Sequence, residues 1–299
     1  MAVIKNDGFT FVELVATGKK CLAVESARLA DCLRYITDKN IEAVIVSRYH
    51  GYAGEDVEFL RGLPSVTHVF VQDHVENLSG VLARKDLQFL STNKPNETFS
   101  LAGFDRLVSF SAEWNENICD VHCARVLRKL SLWGYKTATG TFGPSLWSAT
   151  VEELDLIQCN LTTFTGIDNF PSLQVLEAER LPKLRDISAL SSLASTLKVV
   201  RLKNCKNIVN HNAVTSLKHL QRLAFNGCGT LHSLTFLKEL PALEEFAFVN
   251  TLVSDGDMRP LFGLRRVGFL DKKHYSHKYS EVAEKIAHKP GNLGSETDS

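Results

Sequence analysis

The sequence predicts an α/β fold: a curved, horseshoe-like solenoid of about eleven repeats of 20–25 residues, with parallel strands on its concave face and helical caps. Three observations predict it. An apolar pattern returns at nearly constant spacing through most of the 299 residues. Within each copy apolar and polar residues alternate, as in a strand with one buried face. The segments at both ends fall outside the pattern and have helical spacing instead. A repeat this small cannot bury its own apolar face, so neighbours must stack into one continuous core.

The pattern places apolar residues at positions one, four and six, and it is clearest from residue 127 onward. The copies read Leu127, Leu130, Leu132; Val151, Leu154, Leu156; Leu173, Leu176, Ala178; and Leu197, Val200, Leu202. They continue as Leu220, Leu223, Phe225; Leu243, Phe246, Phe248; and Leu264, Val267, Phe269. Successive copies begin 24, 22, 24, 23, 23 and 21 residues apart. Places four and six face the core, and places three and five face outward. Cys159, Cys205 and Cys228 stand at the ninth place, where a side chain turns inward to bond the backbone of a neighbouring loop. Their expected role is structural.

The N-terminal half repeats the pattern more loosely. Ile41, Val44, Val46 and Val66, Val69, Val71 fit, as does Leu107, Phe110, Ala112 with Asn115 at the ninth place. Arg84, Leu87, Phe89 is a poor copy ahead of an irregular stretch. Return segments such as Ile187–Leu193, Ala213–Leu217 and Thr235–Leu240 are expected as short helices or turns. Leu22, Leu29, Leu33 and Ile36 predict a helix within residues 21–38, so residues 1–40 form the N-terminal cap and 41–270 the solenoid. Residues 271–299 form a C-terminal cap, helical over Tyr279–His288, and a polar tail, Gly291–Ser299, expected to be disordered.

This pattern, L-x-x-L-x-L-x-x-(N/C), resembles that of leucine-rich-repeat proteins over roughly residues 41–270. More narrowly, Asp255-Gly256-Asp257-Met258 followed by Lys273-His274-Tyr275-Ser276-His277-Lys278 resembles the end of a group of bacterial, cytosolic leucine-rich-repeat proteins. That resemblance implies a non-enzymatic module that binds a specific protein, in its most concrete form an immunity protein neutralising a bacterial toxin. A secreted effector or signalling scaffold is the alternative, because one fold hosts many roles.

Composition fits a binding module better than a nucleic-acid or membrane protein. Lys+Arg and Asp+Glu both number 34, so no global field draws the chain to a polyanion. No apolar run reaches the roughly 20 residues of a membrane span, and the first residues lack a secretory apolar core. Seven cysteines without a paired framework fit reduced thiols. These features predict a cytoplasmic chain, monomeric when unbound. Phosphate-binding, nucleophile-elbow and zinc-protease motifs are lacking, and the ends leave little room for a catalytic domain. The one cysteine/histidine cluster, Cys119-Asp120-Val121-His122-Cys123, has no second ligand pair, so neither metal nor cofactor is expected. His274, Tyr275 and His277 are expected to decorate the cap, and Asp255-Gly256-Asp257 to form a turn, not a calcium loop.

The informative surface is the outward strand face. Its candidate partner-binding residues are Trp114, Lys129 and Trp133, then the acidic Glu153, Asp155, Glu177 and Glu179, then the basic Arg201 and Arg222. Aromatic side chains supply desolvated anchors, and the flanking charges supply steering and register. The acidic strip would suit a basic toxin domain such as a nuclease.

Overall fold

The computed structural model describes residues 2–14, 18–72 and 74–287. The expected tail, Gly291–Ser299, lies outside the described residues, as does His288 at the end of the predicted cap helix. The chain divides into two compact units, one running to Trp133 and including Ser145–Val151, the other made of Gly134–Pro144 and the chain from Glu152 onward.

The first unit opens with strands β1 (Ala2–Asn6), β2 (Phe9–Leu14) and β3 (Lys19–Ala23), followed by helix α1 (Leu29–Asp38). Strands β4 (Ala43–Val46), β5 (His68–Val71), β6 (Phe89–Thr92), β7 (Phe99–Ser100), β8 (Ser109–Glu113), β9 (Ile118–Cys119) and β10 (Lys129–Trp133) follow, with a one-turn helix α2 (Ser79–Leu82) between β5 and β6. β1 to β3 pair antiparallel; from β3 the ladder runs parallel through β4, β5, β6, β8 and β10. β7 and β9 form a separate two-residue parallel pair.

Three expectations change here. The predicted cap helix starts only at Leu29, because Cys21, Leu22 and Ala23 are drawn into β3, where pairing on both sides outweighs their helical spacing. The cap is therefore a hairpin plus a helix. Second, the weak copy has a different phase: Leu87, Leu90 and Thr92 take places one, four and six, with Leu90 opposite Val69 and Phe110. Phe89 faces the other way and packs on Phe70 with ring centroids 4.4 Å apart. Arg84 is a buried strut, not a repeat position. Its guanidinium donates to the carbonyls of Leu60 (2.9 Å), Leu63 (2.5 Å) and Val66 (2.6 Å) and pairs with Asp86.

Third, the outward face of the early strands is not free. Val12, Leu14, Cys21, Ala23, Ala43, Ile45 and Phe70 form a buried apolar cluster with Phe89 packed against it. In β4 these are the alternate positions to Val44 and Val46, so the sheet here is apolar on both faces. The antiparallel hairpin contributes Val12 and Leu14 to that second layer, which closes the surface a partner would need.

The second unit carries β11 (Glu153–Ile157), β12 (Val175–Glu179), β13 (Val199–Lys203), β14 (Arg222–Asn226), β15 (Thr230–Leu231), β16 (Glu245–Ala247), β17 (Leu252–Val253) and β18 (Arg266–Gly268). All ladder strands, β11, β12, β13, β14, β16 and β18, are parallel and in the register of the repeat. β15 and β17 form their own short pair. Six strands here and five from β4 to β10 in the first unit carry the repeat phase, matching the expected eleven.

Return segments are 3₁₀ turns at Ser188–Leu193, His211–Ser216 and Thr235–Glu239. Place eight turns the chain out of each strand through the left-handed region, at Gly134, Gln158, Arg180, Asn204, Gly227 and Asn250. From Gly134 to Gly227, the N–H of each donates to the last carbonyls of the next strand or just beyond, at 2.7–2.9 Å. The ninth-place cysteines turn inward and are buried as expected, but Cys228 and Cys205 reach the neighbouring strand and not a loop: Cys228 Sγ lies 3.2 Å from the Leu202 carbonyl, and Cys205 Sγ 3.8 Å from that of Ala178. Helix α3 (Tyr279–Ala287) follows the last strand and buries Val282 and Ile286.

Candidate functional site

In the first unit the candidates sit at the end of the ladder. Trp133 closes β10 opposite Glu113 and is 54% exposed, whereas Lys129 at the head of the strand is half-buried. Trp114 lies one residue beyond β8, at place eight. Its backbone N–H donates to the Trp133 carbonyl at 2.8 Å and its side chain is half-buried. Of the two tryptophans, Trp133 is the accessible one. A third, Trp147, is 41% exposed and stacks on His122 at 4.5 Å; no repeat position marks it in the sequence.

In the second unit the register lines up the outward side chains in rows. Asp155, Glu177, Arg201, Ala224, Ala247 and Gly268 form the middle row, one from each of the six ladder strands β11, β12, β13, β14, β16 and β18. Strands β11 and β12 present Glu153, Asp155, Glu177 and Glu179, all half-buried. The acidic strip is thus present, but its charge is partly spent within the sheet: Glu177 pairs with Arg201 directly opposite, and Glu179 with Lys203 at 3.2 Å. Exposed pairs of this kind contribute about 0–1 kcal/mol, so they set local charge more than stability.

From β13 onward the sign reverses. Arg201, Arg222 and Arg266 surround a recess of about 200 Å³ whose floor is Ala224, Ala247 and Gly268, with Glu245 the one carboxylate in the lining. Arg266 pairs with Glu245. Arg222 is exposed and has no ion-pair partner among the described residues. The floor exists because place five shrinks from Arg201 to Ala224, Ala247 and Gly268, so the sheet backbone is reachable between long cationic side chains. Sequence reasoning identified Arg201 and Arg222 but missed Arg266 and the floor. Three small residues in succession at place five were the available signal.

A second cleft, about 720 Å³, lies where the strands of this unit end. Lys136, Arg180, Lys183 and Lys206 line it beside the amides of Gln158, Asn160, Asn204 and Asn207, with no carboxylate in the lining. Both recesses therefore carry an excess of positive charge in a chain of zero formal net charge. The Asp255-Gly256-Asp257 segment is a turn closed by Asp257 N–H donating to Asp255 Oδ1 at 3.1 Å. His274 and Tyr275 bond the backbone of Val253, consistent with structural roles at the C-terminal end.

No protein-family model matches the sequence, and no curated protein matches it. Among solved structures, an internalin of Listeria monocytogenes strain 4b F2365 is similar at 17% identity and a TM-score of 0.51, covering 89% of this chain and 84% of its own. A leucine-rich-repeat protein of Leptospira interrogans aligns over 87% of this chain and 90% of its own at 15% identity, with a TM-score of 0.34. The first likeness concerns the fold alone, and it agrees with the period, the parallel ladders and the inward ninth place. In fold, the chain is a leucine-rich-repeat protein.

Proposed function

We propose that the chain is a non-enzymatic protein-binding module that holds a partner with an acidic contact surface on the outward strand face of its second unit. The observation that carries this reading is the side-chain-sized recess over Ala224, Ala247 and Gly268, rimmed by Arg201, Arg222 and Arg266. A guanidinium presents a planar fork of donors that matches a carboxylate. A floor of small residues lets such a side chain reach the sheet. The cationic cleft at the strand ends extends the same charge preference. Trp133 in the first unit supplies a separate exposed aromatic contact.

An immunity protein that neutralises a toxin is the narrower form of this proposal. The charges favour a toxin with an acidic surface over a basic nuclease domain, because Glu177 and Glu179 are already paired. The test is affinity capture with the tagged chain beside Trp133→Ala, Glu177→Lys and Arg222→Glu, followed by titration of the purified partner. One stoichiometric protein is expected, bound at least tenfold more weakly by Arg222→Glu, a loss of about 1.4 kcal/mol or more. Unchanged affinity in all three variants would overturn the reading. Co-expression with candidate toxins tests the narrower role: cells left unprotected remove it and leave partner binding standing.

A further inference from the structure

The turn at residues 119–123 collects four metal-binding side chains within one loop of the first unit, and none of them takes part in the face described above. We propose that Cys119, Asp120, His122 and Cys123 form a zinc site. Ligand atoms of Asp120, His122 and Cys123 all lie within 4.8 Å of one another. Cys119 Sγ stands 3.5 Å from Asp120 Oδ2, and His122 Nε2 stands 3.5 Å from Cys123 Sγ. A tetrahedral shell with Zn–S of about 2.3 Å and Zn–N or Zn–O of about 2.0–2.2 Å has ligand–ligand edges of about 3.3–3.8 Å. Two edges already have that length, and those from Asp120 to His122 and Cys123 need to close by no more than about 1.5 Å, while Cys119, outside that group of three, has to swing in from its contact with Asp120 to complete the shell.

The backbone explains how five consecutive residues can do what usually takes two separated pairs. Cys119 is held in β9, paired opposite Ser100 of β7. Asp120 then adopts the left-handed conformation, φ 56°. That residue reverses the chain into the 3₁₀ turn Val121–Cys123, closed by Cys123 N–H donating to the Asp120 carbonyl at 2.9 Å. Val121 is buried and anchors the turn. The missing second pair that argued against a metal in the sequence is thus replaced by a bend.

Outer contacts orient the donors, as they do in metal sites generally. Ser100 Oγ donates to Asp120 Oδ2 at 2.6 Å. The Trp147 ring, 14° from parallel, stacks on the His122 imidazole. Two thiolates, one imidazole and one carboxylate are a borderline-soft set that suits zinc and excludes the all-oxygen preferences of calcium and magnesium. Binding displaces one proton from each thiol, and both cysteines are half-buried, which leaves the ion a path in.

The experiment uses the full chain after treatment with a chelator, titrated with cobalt(II) alone and then zinc(II). One equivalent of cobalt is expected to give a thiolate-to-cobalt charge-transfer band that zinc bleaches. Cys123→Ser and His122→Ala should each weaken cobalt binding at least tenfold. As a readout on the unaltered chain, zinc should protect Cys119 and Cys123, and no other cysteine, from alkylation mapped by mass spectrometry. The proposal is overturned by absence of the band, by a band that survives both substitutions, or by equal alkylation of these thiols with and without zinc.

Discussion

Arg84 offers the sharpest test of how the first unit is held together. Replacing it with methionine keeps most of the buried stem and removes the guanidinium. The Leu60 and Leu63 carbonyls each keep one donor, the N–H of Leu63 at 3.2 Å and of Val66 at 3.0 Å. The Val66 carbonyl has no other donor among the described residues. An orphaned buried acceptor costs about 1–3 kcal/mol, and losing one of two bonds at each of the other carbonyls adds about 1 kcal/mol apiece. Relief of the buried charge's own desolvation offsets part of this, giving a net loss of about 3 kcal/mol. Because repeats are coupled mainly to their neighbours, the loss should concentrate near residues 57–92. The assay is urea unfolding combined with amide exchange. Asp86→Asn, which leaves the three carbonyl bonds in place, should cost under about 1 kcal/mol. An Arg84→Met protein within about 1 kcal/mol of the parent, or one losing protection evenly along the chain, would refute the assignment of Arg84 as a strut.

Two further outcomes follow from buried groups. In metal-free protein at pH 8, a thiol reagent should modify Cys123 quickly, Cys119 more slowly because burial and the Asp120 carboxylate hold its thiol up, and the five buried cysteines only on unfolding. Burial pushes the Cys21 thiol up to about 12 and the Cys159 thiol up to about 11, so neither offers thiolate at that pH; rapid reaction of more than two thiols would contradict the packing. His211 is buried against Phe225, with Nε2 2.8 Å from the Cys228 carbonyl, and burial lowers its pKa below the usual 6.5. The unfolded chain therefore binds this proton first, so its contribution to stability is complete above about pH 6.5 and falls away as pH drops toward the folded value. The urea midpoint should fall between pH 7.5 and 5.5, and His211→Asn should flatten that slope while lowering the midpoint at pH 7.5. A slope unaltered by the substitution would remove His211 from the account.

The sequence by itself determined the fold class, because a period near 23 residues with apolar places one, four and six admits few structures other than stacked parallel strands. It also determined which side chains face outward from β8 to β18, since strand alternation needs only local pattern. It misplaced the copy at residues 84–92, where Thr92 holds an inward place and Phe89 an outward one. Hydrophobicity there follows the second apolar layer over β3 to β6, and no local period encodes that layer. The same limit applied to Cys21–Ala23, taken into a strand by the pairing of β2 and β4. At the candidate surface, Glu177, Glu179, Arg201 and Arg222 were all legible as outward charges. Only the register, which sets residues 24 positions apart side by side, decided that Glu177 cancels Arg201 and leaves Arg222 beside an open floor. Charge patterns reside in the chain, but net local charge depends on which side chains lie within a few ångströms, and that distance is fixed by tertiary structure.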